Sequence, residues 1–163
     1  MTKKNTFCAV LVSTAVAASV LAPAVPAHAS DELLRAAIPP HVVVDGSFDP
    51  DSEVVMVGDG PTTQSGNCKD RAFTVLPVMG QSVNGCNVIG WNAAARAPYK
   101  WYKHMGTTNP CIWGKGFNSK HAPTWTAIGC GSGQTKTVPW GNVAGTKKMK
   151  GLTAVGWAGV QWQ

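Results

Sequence analysis

The sequence predicts a mainly β fold: a small, disulfide-stapled antiparallel sandwich or barrel of short strands, preceded by a cleaved N-terminal signal helix. Three observations predict it. β-Branched and aromatic residues gather in short runs bounded by Gly, Pro and Asn, the pattern of strands joined by tight turns. Four cysteines beyond the leader, Cys68, Cys86, Cys111 and Cys130, make an even set of the kind that staples exported domains. Seven tryptophans supply the large apolar area that a domain poor in leucine and isoleucine needs for its core.

Residues 1–29 read as a signal peptide. Lys3 and Lys4 form a basic start, Phe7 to Leu21 is apolar, and Ala27-His28-Ala29 places small residues where a signal peptidase cuts, before Ser30. About fifteen apolar residues are too few to span a bilayer, which needs roughly 20. The mature chain is therefore expected to be secreted and extracellular, and Cys8 leaves with the leader.

Residues 30–67 read as an acidic arm or pro-region with a linker. From 30 to 60, seven acids stand against the single base Arg35, a net −6. Ser30 to Ile38 has a serine cap and acids in its first turn, which predicts a turn or two of helix stopped by Pro39-Pro40. His41–Val44 and Glu53–Val57 read as strands, and the polar, uncharged Thr62–Asn67 as linker or processing site. Two accounts of the acids stay open. The arm neutralises the rest of the protein until it is cut off, or it forms a hairpin of the same domain whose acids pair with basic strands.

Residues 68–163 read as a cationic, Trp-rich, disulfide-stapled domain. From residue 61 onward one acid, Asp70, faces eleven bases, a net +10. Ala72–Met79 is a strand candidate in which Pro77 argues for an edge or a bulge. Asn84-Gly85 signals a two-residue hairpin, with Cys86–Trp91 returning. Asn92–Arg96 suggests a helical turn that Pro98 ends. Tyr99–His104, Ile112–Trp113, Thr124–Ile128, Thr135–Val138 and Leu152–Trp162 complete the strands, the last as a closing core strand. Of three possible disulfide pairings, Cys68–Cys86 and Cys111–Cys130 are favoured, because both close short loops of similar length and both second cysteines follow a glycine. No Cys-x-x-Cys occurs, so no metal site is predicted, and no cofactor either.

Catalytic motifs are missing. Within the cationic part a lone Asp70 cannot supply the paired carboxylates of a glycosidase, and nothing in the spacing of the acids in 30–60 supports one built from them; there is no Gly-x-Ser-x-Gly, and paired cysteines leave no free thiol. One enzymatic alternative rests on His104 and His121, each beside a lysine (Lys103, Lys120), a set that can cleave RNA by general acid and base catalysis.

The first expectation is instead attachment to an anionic bacterial envelope, lipid or wall polymer, by a cationic antibacterial protein of the bacteriocin type without covalent chemistry or nucleic-acid partner. Basic and aromatic residues interleave at Lys100, Trp101 and Lys103, at Trp113 and Lys115, and in the cluster Lys147, Lys148 and Lys150. Indoles favour the headgroup level, and each lysine near an anionic surface contributes about 1 kcal/mol. The alternatives are a wall or polysaccharide binder and a protease inhibitor presenting a braced loop from Lys115 to His121.

Overall fold

The computed structural model describes residues 38–59 and 68–163. The signal helix, the Ser30 turn up to residue 37 and residues 60–67, which include the Thr62–Asn67 linker, lie outside the described residues. The described chain is mainly β, with twelve strands and no helix. They are β1 (Val43–Val44), β2 (Val54–Val57), β3 (Arg71–Val75), β4 (Gly80–Gln81), β5 (Asn87–Gly90), β6 (Arg96–Gly106), β7 (Cys111–Phe117), β8 (Pro123–Cys130), β9 (Gly133–Pro139), β10 (Val143–Thr146), β11 (Met149–Leu152) and β12 (Ala158–Trp162). They form three four-stranded sheets: A in the order β1-β10-β5-β2, B in the order β3-β12-β6-β9, and C in the order β4-β11-β7-β8.

Sheets A and C share one bent ribbon. Gly80 and Gln81 pair with Gly151 and Lys150, Ser82 N donates to Met149 O, Gly85 N to Lys147 O and Lys147 N to Cys86 O, and Asn87 to Ile89 continue against Thr146 to Ala144. Residues 80–90 therefore run along 143–152 without turning back, so the Asn84-Gly85 hairpin does not form. Gly85 serves close packing instead: a Cβ there would lie 2.7 Å from the Trp162 ring.

Two other expectations fail for local reasons. Pro98 does not end an element but sits inside β6. Lys100 N donates to Gln163 O on the β12 side, so the ring nitrogen of Pro98, two residues back, points the same way past the end of β12, where no donor is needed. The stretch from Leu152 to Trp162 is two strands with a connection at residues 153–157; Ala158, Val160 and Trp162 face inward as expected, whereas Ala154 is exposed. Pro77 falls just beyond β3, an edge strand of sheet B.

The arm belongs to sheet A, but not as a hairpin. β1 pairs with β10 and β2 with β5, both in parallel, so the sheet is not purely antiparallel and two strands from the cationic part separate β1 from β2.

The core lies between sheet B and the A–C ribbon. Tyr99, Trp101, Val138, Trp140, Val160 and Trp162 fill it, all at most 1 % exposed. Gly116 lets sheet C approach sheet B, since a Cβ there would stand 2.3 Å from Pro139 O. Tyr99 pins the layers together: its hydroxyl donates to Lys115 O (2.7 Å) and accepts from Lys148 N (3.3 Å). The disulfides are Cys68–Cys86 and Cys111–Cys130, with Cα separations of 5.5 and 3.9 Å. The second joins directly opposed residues at the open end of the β7–β8 hairpin.

Candidate surface site

Strand alternation decides which of the predicted contact residues reach solvent. On β6 the odd positions Ala97, Tyr99 and Trp101 are buried, while Pro98, Lys100 and Tyr102 are exposed. Trp101, 1 % exposed and cross-strand from Trp162, is thus a core residue and not a surface contact. Lys103 is half-buried beside the bulge at Gly159/Val160.

Lys115 is not a surface contact either. Its Nζ binds Asp45 Oδ2 at 2.9 Å and Ser47 Oγ at 2.7 Å, and Ser47 Oγ donates in turn to Asp45. Burial would raise the Asp45 carboxyl, but hydrogen bonds from Ser47 and Lys115 and the charge of Lys115 outweigh it and hold it below its ordinary value. This is the one ion pair among the described residues, and it joins the arm to β7. Asp49 serves a local turn, accepting from Asp51 N and Ser52 Oγ, while Glu53 reaches across to accept from Lys69 N.

Lys147 is also withdrawn, only 3 % exposed. Its Nζ donates to Pro98 O at 2.5 Å and lies 4.5 Å from the Tyr99 ring centroid. No carboxylate among the described residues pairs with it, and burial pulls its pKa down to about 8.

What remains outward is a face of sheet C. Gln81, Lys150, Trp113 and Ala127 form one cross-strand rung. Trp125, two residues from Ala127 on β8, carries Lys150 Nζ 4.9 Å from its ring centroid, a cation–π contact. Lys148 alternates with the buried Lys147 and Met149, so it leaves the strand on the same side as Lys150. The structure thus brings together Trp113, Lys148 and Lys150, and adds Trp125, which sequence reasoning passed over. The β7–β8 hairpin is what would have found it, because it sets Trp125 opposite Lys115. Lys100 lies on the far side of the core, on the outer face of sheet B.

The two alternative sites come apart. His121 Nε2 donates to Asn142 Oδ1 at 3.0 Å and shares a cleft with Pro139. Pro139 pairs with Arg96 at the start of β6, whereas His104 is eight residues further along that strand, roughly 26 Å at 3.3 Å per residue. The histidines therefore do not form one acid–base pair. Lys115 to Phe117 are buried in β7, and only 118–122 make a tight turn, closed by Asn118 and with His121 at φ 60°. The disulfide closes the opposite end of that hairpin, so the segment from Lys115 to His121 is not a braced loop.

Compared with protein-family models, with curated proteins and with solved structures, the chain matches none.

Proposed function

We propose that the mature chain is a secreted cationic protein of the antibacterial, bacteriocin-like kind that attaches to the anionic bacterial envelope without covalent chemistry. The observation that carries this reading is the sheet C face, where Lys150 lies over Trp125 and beside Trp113, with Lys148 on the same side. Indoles and ammonium groups side by side suit a surface that offers apolar or sugar faces together with phosphate or carboxylate. Two disulfides agree with an oxidising compartment and with the leader-like first 29 residues.

From Arg71 to Gln163 the sequence has no carboxylate side chain. An approaching polyanion meets no local repulsion from this part of the chain, and attraction is screened by salt. The experiment is co-sedimentation with bacteria, purified walls and anionic vesicles, paired with killing of indicator cells. The double variant Lys148→Glu/Lys150→Glu removes at least two contacts of about 1 kcal/mol each, so attachment falls roughly 30-fold or more. Unchanged attachment by that variant would reject this face as the site. Attachment without killing would favour a wall or polysaccharide binder.

A further inference from the structure

We infer that one end of the molecule, formed by the β3–β4, β6–β7 and β11–β12 connections, dips into the lipid bilayer. This rests on the envelope reading and deepens it, naming lipid rather than wall polymer as the partner. Val75, Ala158 and Gly106 are cross-strand partners, so β3, β12 and β6 reach this end abreast. The connections are tied together there: Thr153 N donates to Leu76 O (3.0 Å) and Thr107 N to Trp157 O (2.9 Å).

Among the described residues, six of the ten large apolar side chains that stay exposed are gathered here: Leu76 (45 %), Val78 (66 %), Met79 (47 %), Met105 (51 %), Val155 (68 %) and Trp157 (40 %). Val75, Ala158 and Val160, one to a few residues away on the strands, are completely buried. Concentrated exposure of this kind marks an interaction surface. Five of these side chains come from two separate connections, 76–79 and 153–157, and Met105 from the last residues of β6 beside them, at the end of the sheet and not from a flat sheet face or a groove, which suits entry into a fluid phase.

Charge selects the bilayer. None of the three connections carries an acid. Cations stand just behind them: Lys150 two residues before Leu152, and Lys103 opposite Val160. Lysines set behind apolar tips, with the indole of Trp157 among those tips, match a headgroup layer over acyl chains with an aromatic at the interface. Because the connections close part of their backbone hydrogen bonding among themselves, fewer main-chain groups would be stranded on leaving water. The lysines behind the tips include Lys150 of the sheet C face, so one approach engages both.

The test uses the oxidised, leader-free chain with vesicles of phosphatidylcholine mixed with phosphatidylglycerol, some carrying brominated acyl chains. Trp157 fluorescence, isolated by difference against Trp157→Phe, is expected to be quenched by the brominated lipid. Val78→Ser/Val155→Ser is expected to bind these vesicles at least about tenfold more weakly while keeping its near-UV circular dichroism, since both positions are exposed. No quenching, or unchanged vesicle binding by the double variant, overturns the inference. Binding to walls but not vesicles overturns it and leaves the envelope reading standing; binding to neither removes both. A dimer in sedimentation velocity that the double variant abolishes would assign the patch to a second copy and also overturn it.

Discussion

Two buried lysines sit in this molecule under opposite conditions. Where the arm meets β7, Lys115 has a carboxylate at 2.9 Å and a hydroxyl at 2.7 Å. In the link between β10 and β11, Lys147 has the Pro98 carbonyl and the Tyr99 ring of β6 but, among the described residues, no counter-charge. The first lysine is fixed by a partner. The second is held by the register of the ribbon that carries it, against the cost of desolvating an ammonium group. Position in a ladder can thus bury a charge that pairwise chemistry does not favour.

The largest effect should come from removing the partner. Asp45→Ala strands Lys115 in a nearly closed site, and loss of one member of a buried pair costs about 3 to 5 kcal/mol, read by denaturant unfolding. The same variant should lose the acid limb of stability. The folded carboxyl lies below its ordinary value, so the wild type keeps this contribution above that value and loses it as pH falls through the folded pKa.

Lys147 gives the same slope in an alkaline window, but as a penalty on the charged form that is relieved rather than a gain that is kept. With a folded pKa near 8 against 10.5 unfolded, the unfolded chain binds more protons between those limits. Stability therefore rises as pH increases from about 8 to 10.5, by roughly 3 kcal/mol. Lys147→Met should flatten that rise and raise stability at neutral pH. A wild-type curve with no rise in this window would mean that the Pro98 carbonyl and the Tyr99 ring fully offset desolvation.

Tyr99→Phe sharpens the contrast, because the hydroxyl serves strands beside both lysines. It leaves Lys115 O and Lys148 N without their partner and should cost about 1 to 3 kcal/mol. The smallest effect is expected at Lys100→Ala, exposed on sheet B and without a carboxylate partner among the described residues, where stability should change by no more than about 0.5 kcal/mol.

Much of the fold was legible because strand chemistry is local. Alternation over Tyr99–His104 puts Tyr99 and Trp101 on one side of the strand but does not say which side is inward, so Trp101 reads from sequence as a surface residue; glycines preceding Cys86 and Cys130 anticipated the pairing. What escaped depends on neighbours distant in sequence. The parallel placement of β1 and β2 is decided by β10 and β5, and β10 itself is a short, glycine-interrupted run with little periodicity. Asn84-Gly85 has the composition of a turn but is used for clearance under Trp162. The lysine run at 147–150 looked like a solvated cluster, whereas the alternation rule already divides it: Lys147 and Met149 inward, Lys148 and Lys150 outward.

The bent ribbon has a consequence for the two lysines that remain available. Sliding 143–152 by a single residue against 80–90 would turn Lys148 and Lys150 toward the core and push Met149 out, erasing the cationic face without unfolding anything. Cys86 carries the carbonyl that receives Lys147 N and is covalently tied to Cys68. That crosslink anchors the ribbon at the point where slippage would begin, and so keeps the charges facing water.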